Sequence, residues 1–209
     1  MPLLDPLSSV AGSLRKDRII PDVIPDNFTP SVLFSVNWGE KEALLGNELT
    51  KDDTQIEPSV QITPMGAEEG NPTYTLAMLD PDAPSHDDPK YGPFRHWVVF
   101  GLRPPSPGEV IAAASAEADL LSPSADPLAA TTFKAAPTPY RPPGPGPGSG
   151  KHRYVFLLFQ EPKGGYTLSP DAPEFGTELE ARRQWSPMEF AKLHNLTLVG
   201  ANYFVLYSE

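Results

Sequence analysis

The chain of 209 residues has no cysteine, four histidines, and only 16 basic residues against 27 acidic ones. Without cysteine there is no disulfide framework, no thiolate nucleophile and no thiolate metal site, and the composition fits a reducing compartment. A formal charge of −11 repels phosphate backbones and anionic leaflets. That sets nucleic-acid binding aside and leaves at most peripheral contact with a membrane. No apolar run approaches the roughly 18 residues that span a bilayer. The opening Met1-Pro2-Leu3-Leu4-Asp5 lacks a basic segment leading into an apolar stretch, so no secretory signal is expected and the expected location is cytoplasmic. The G-x-S-x-G elbow of a serine hydrolase is also missing.

What the chain has in abundance is proline, at 27 residues, together with 16 glycines. So many punctuators argue against a helical bundle and for short strands joined by turns. The length and the 39% hydrophobic content suit a single domain over residues 1–209 with a sizeable core. Residues 1–14 read as an N-terminal extension or short helix, capped by Ser8 or Ser9 and ending before Pro21. Val32, Phe34, Val36 and Trp38 alternate as one face of a strand that Gly39 turns. Gln55 to Thr63 alternates again, and Pro58 suggests an edge. Thr73 to Leu79 predicts a strand running into Asp80-Pro81. The near-continuous apolar runs His96–Leu102 and Arg153–Gln160 predict central strands buried on both faces. Val110 to Ala136 reads as a short helix and a loop, and Pro142 to Ser149 as pure loop. Ser186-Pro187-Met188-Glu189 has the form of a capping box opening a helix, and Leu198 to Tyr207 supplies a last strand.

The chemistry gathers at strand ends. Pro81 and Pro84 stiffen the turn around Asp80 and Asp82. Asp80 is placed to orient the His96 imidazole, which would raise its pKa and favour a cation near an anionic ligand. Asp82 either bonds its own turn amides or pairs with Arg153. Side chains alternate along the strand after Gly150, so His152 and Tyr154 converge on one space while Arg153 points the other way. Glycines such as Gly144 and Gly148 expose amides that can cradle an anion. His86, Asp87 and Asp88 lie close together but lack metal-ligand spacing, and they read as a solvated loop. No metal and no cofactor is expected.

Asp80-Pro81-Asp82-Ala83-Pro84-Ser85, Phe94-Arg95-His96 and Gly150-Lys151-His152-Arg153-Tyr154 resemble, in order and spacing, the motifs of the phosphatidylethanolamine-binding protein family, also known through the Raf kinase inhibitor protein. The resemblance extends over roughly residues 15–207. It looks closest to the fungal branch that includes a carboxypeptidase Y inhibitor, through Ile20 to Ile24, the proline-rich loop after Tyr140, and Val199 to Phe204. It implies a mainly β fold of two antiparallel sheets with peripheral helices. It also implies a pocket for phosphate- or carboxylate-bearing groups such as phospholipid headgroups, built from Asp80, Ala83, Pro84, Tyr91, Phe94, His96, Gly144, Pro145, His152 and Tyr154. In that pocket His96 and Tyr154 donate to the anion, the Gly144 amide assists, and Asp80 holds His96. Asp82 and Arg153 are expected to be structural.

The resulting expectation is a non-enzymatic regulator or inhibitor of a partner protein, a serine carboxypeptidase or a signalling protein. Two alternatives stand beside it. One is an acid–base cyclase or isomerase using Asp80, His96, His152 and Tyr154. The other is protease inhibition through the segment from Met1 to Leu7 without use of the pocket.

Overall fold

A computed structural model describes residues 6–64, 70–116, 126 and 128–208. The fold is two antiparallel sheets with helices at the periphery. Helix α1 (Pro6–Lys16) and a single interrupted turn α2 (Ile19–Asp22) precede strand β1 (Val32–Trp38). Then come β2 (Lys41–Glu42), β3 (Ser59–Pro64), β4 (Tyr74–Asp80) and β5 (Phe94–Leu102). Helix α3 (Pro107–Ala116) is followed by β6 (Gly150–Gln160), α4 (Pro187–Leu193) and β7 (Thr197–Ser208). The small sheet has the order β2-β1-β3 and the large one β5-β4-β6-β7.

The large sheet is covered on both faces, and the two-residue period of a strand explains how. Leu76 and Met78 of β4, with Tyr154, Phe156 and Leu158 of β6, pack toward the small sheet against Val36, Trp38, Val60 and Ile62. The intervening Ala77 and Leu79, with Val155, Leu157 and Phe159, pack on the other side against Leu14 of α1, Ile19 and Ile24 near α2, and Phe190 of α4. Both strands are therefore apolar at successive positions through residues 76–79 and 154–159, and sequence periodicity reads those stretches as buried on both faces.

Three boundaries differ from expectation. The run from His96 to Leu102 is part of an edge strand, β5, rather than a central one. Its outer side is closed by loop bridges at Val98–Thr138 and Arg103–Thr131, which protect the edge without a neighbouring strand. Strand β3 starts only at Ser59, because Asp52–Thr54 forms a tight helical turn and Ile56 is exposed. Helix α1 already contains Ser8 and Ser9, so neither caps it, and it runs two residues past Leu14 to Lys16, ahead of a left-handed Arg18. At α4 the Ser186 hydroxyl accepts from the Glu189 amide at 3.2 Å, with Pro187 in the first turn, as the capping pattern predicts.

Candidate functional site

The turn after β4 is built by Asp80. Its Oδ1 accepts the Asp82 amide at 2.8 Å, so the local aspartate turn belongs to Asp80 and leaves Asp82 free for a distant partner. That partner is Arg153 on β6, which donates through Nε to Asp82 Oδ2 at 2.9 Å and through Nη2 to Oδ1 at 2.7 Å. The same guanidinium reaches Asp22 Oδ2 at 3.0 Å and the Asp17 carbonyl at 2.8 Å, tying α1 and α2 to the sheet. Burial works to raise the Asp82 carboxyl, and the Arg153 contacts together outweigh it, leaving it below the usual carboxylate range.

On the other face of β6, His152 and Tyr154 open on a cavity of about 260 Å³. All ten residues carried over for a pocket, from Asp80 to Tyr154, line this one cavity. Sequence reasoning missed Arg141, Pro142, Gly146, Leu179 and Arg183, which complete its mouth. The volume falls below the roughly 300–1,000 Å³ of drug-sized sites, so it suits one small polar group.

Within the cavity the expected pairing is corrected. Asp80 does not hold His96. Its Oδ2 lies 2.7 Å from Nδ1 of His152, and His152 Nε2 lies 3.0 Å from the Ser149 hydroxyl, so both ring nitrogens of His152 are engaged. His96 instead places Nδ1 2.7 Å from the Arg141 carbonyl oxygen. A carbonyl only accepts, so Nδ1 carries the hydrogen. Burial holds the His96 imidazole down, to about 4, although the Asp80 carboxylate and the Arg141 carbonyl act the other way. The expected imidazolium is therefore a neutral ring whose Nε2, unbonded among the described residues, is an acceptor facing the cavity. Burial, reinforced by the Asp80 charge, likewise pushes the Tyr154 phenol up and keeps it protonated as a donor. The Gly144 amide acts the other way, bonding the phenol oxygen rather than standing open to an anion as expected.

Backbone irregularity places His96 there. In the β4–β5 ladder Met78 pairs with Trp97 but Leu79 pairs with Arg95, so His96 is the extra residue of a bulge. Its own carbonyl accepts from the Arg141 amide at 2.9 Å and from Arg182 Nη1 at 3.0 Å. Arg95 turns away from the cavity, donating to Thr138 Oγ1 and the Pro173 carbonyl, both at 2.7 Å. Two buried arginines thus staple the loops that form the mouth, a role no motif announces. The edge of the Tyr154 ring stands 5.2 Å from His96 by centroid, and Phe204 stacks behind it at 5.1 Å.

Residues 37–204 match the model of the phosphatidylethanolamine-binding protein family. The chain belongs to that family. It is 31% identical to a carboxypeptidase Y inhibitor of Saccharomyces cerevisiae, with 92% of each chain covered. It is also 31% identical to Protein FLOWERING LOCUS T of Arabidopsis thaliana, covering 94% of this chain and 90% of that one. Among solved structures, a carboxypeptidase Y inhibitor complexed with its cognate proteinase superposes with a TM-score of 0.72 at 25% identity, covering 99% of this chain and 98% of the other. The phosphatidylethanolamine-binding protein of Plasmodium vivax shares the fold at a TM-score of 0.70 and 22% identity, over 95% and 97% of the two chains. Among the described residues no helix is long and apolar enough to cross a membrane. Met1 to Asp5, the start of the segment suggested for protease inhibition, lie outside the described residues.

Proposed function

We propose that this chain is a non-enzymatic cytoplasmic binding protein. It takes a phosphate-bearing group into the cavity between Asp80, His96, His152 and Tyr154 and regulates or inhibits a partner protein. The observation that carries the ligand reading is a pair of polar groups at the cavity, an unbonded acceptor at His96 Nε2 and the Tyr154 hydroxyl, whose oxygen accepts from the Gly144 amide and whose proton is left to donate. A phosphate monoester keeps one ionisable proton up to a pKa of about 6, so it can donate to His96 while accepting from Tyr154. A carboxylate has already lost its proton near pH 4 and meets the acceptor less well.

Support for a serine carboxypeptidase as the partner comes from the similarity to the yeast inhibitor over nearly the whole chain. The acid–base enzyme reading has less support. A histidine held down to about 4 takes up a proton poorly at neutral pH, and a phenol pushed upward gives one up poorly.

Titration with inorganic phosphate at millimolar concentration, followed by NMR of the histidine rings, tests the ligand. Shifts at His96 support it, and an unmoved His96 resonance overturns it. An inhibition assay against a serine carboxypeptidase, with full-length chain and with residues 1–7 removed, tests the partner and separates the body from the N-terminal segment.

A further inference from the structure

The interior of the cavity contains no net positive charge to balance an anion. Asp80 and His152 form a closed hydrogen-bonded pair, with side chains 4% and 2% exposed, and His96 presents a lone pair. The cations are at the mouth. Arg141 is exposed, and among the described residues its guanidinium has no hydrogen bond or ion pair; only its backbone is engaged, with His96. Arg183 is half-buried, with its guanidinium 4.0 Å above the Tyr91 ring and 3.4 Å from the exposed Glu180 carboxylate. Stacking on Tyr91 holds that second charge in place over the opening.

We propose that Arg141 and Arg183 make the site selective for ligands with a second negative group outside the buried phosphate, and that they disfavour a phosphate tethered to an ammonium. The inference rests on the anion-pocket reading and adds the charge of the ligand's exposed part. A phosphate monoester that keeps its last proton for His96 still brings a full negative charge into a cavity whose own groups sum to no positive charge, so its field must be balanced from the mouth. A carboxylate two bonds beyond the phosphate ester oxygen would sit among guanidinium groups that offer paired donors in a fork matching its geometry. An ammonium at the same distance would meet two like charges, offset in part by the exposed Glu180 carboxylate near Arg183.

Two small probes of nearly equal size separate these cases: 2-phosphoglycolate, which ends in a carboxylate, and O-phosphoethanolamine, which ends in an ammonium. Inorganic phosphate serves as the reference. Calorimetry or NMR titration of the full chain at low ionic strength should give phosphoglycolate an advantage on the order of fivefold or more over phosphoethanolamine, shrinking as salt is added. Arg141→Gln, which removes an exposed and unpaired charge and keeps the backbone bonds to His96, should cut that advantage and weaken inorganic phosphate less than it weakens phosphoglycolate. Arg183→Gln should do the same.

Equal affinity for the two probes, or an advantage unchanged in both variants, overturns the proposal and leaves the phosphate pocket intact. Failure of inorganic phosphate and both probes to bind overturns the pocket reading itself.

Discussion

The Asp80 carboxylate lies 2.7 Å from His152 Nδ1, while His96, its neighbour across the cavity, is held by a backbone carbonyl instead. The two histidines of the site thus have different partners and respond differently to the same mutation. Asp80→Asn should move the ring resonances of His152 strongly and leave the His96 Nδ1–H bonded to Arg141. It should also cost about 1–3 kcal/mol in urea unfolding, since the amide replaces one charge of a buried pair while keeping a hydrogen bond. If His96 shifts instead and His152 stays still, the assignment of the pair is wrong.

Asp82 and Arg153 form a fork-to-fork pair with side chains 2% and 8% exposed, and Arg153 also reaches Asp22. Removing one partner strands the other, so Arg153→Met should destabilise the fold by about 3–5 kcal/mol, with little dependence on salt. Arg153→Lys should recover only part of this loss, because an ammonium cannot reproduce the two parallel bonds. A double-mutant cycle with Asp82→Asn should give a coupling of at least about 1 kcal/mol. Additive losses would mean the pair does not act as a unit.

His96 makes stability sensitive to moderate acid. Its pKa lies near 4 in the fold against an ordinary 6.5. Between those values the unfolded chain binds a proton that the folded one refuses, so stability is retained above about pH 6.5 and falls as the pH drops toward 4. The contribution is roughly 2–4 kcal/mol for this fully buried ring. Urea midpoints measured from pH 7 to pH 4.5 should decline in the native chain. The decline should be shallower in His96→Asn, whose side-chain amide can still donate to the Arg141 carbonyl. A parallel decline in both would place the sensitivity elsewhere.

Legibility in the sequence followed local regularity. Strands β4 and β6 were readable because each alternates between two cores, and the opposite directions of Arg153 and Tyr154 followed from the same period. The Asp82–Arg153 partnership came from that alternation too. The partner of Asp80 was not readable, because it depends on the bulge that makes His96 an extra residue between Arg95 and Trp97. Bulges, and the stapling of loops by Arg95 and Arg182, arise from contacts between segments far apart in the chain. Leu179 and Arg183 come from such loops, outside any segment that carried the resemblance, and Arg141 opens the proline-rich loop after Tyr140 at a position the resemblance does not place in the pocket.

Gly92 tests how closely the Asp80–Pro84 turn must pack to keep the cavity. The Tyr91 amide donates to the Ala83 carbonyl at 2.9 Å, and the Gln184 amide donates to the Tyr91 carbonyl at 3.0 Å. Gly92 follows directly, with its α-carbon pressed against the Pro81 backbone, where a methyl group would overlap the Pro81 carbonyl oxygen. Backbone atoms on both sides leave no flexible side chain to give way, so Gly92→Ala must push the two loops apart. Tyr91 and Pro84 both line the cavity, so the displacement should reach the site as well as the fold. The variant should lose on the order of 2 kcal/mol in urea unfolding. It should also bind inorganic phosphate more weakly than Gly12→Ala, a substitution at a position with open space around it. Equal stability and equal phosphate binding in the two variants would show that the turn can relax without disturbing the cavity.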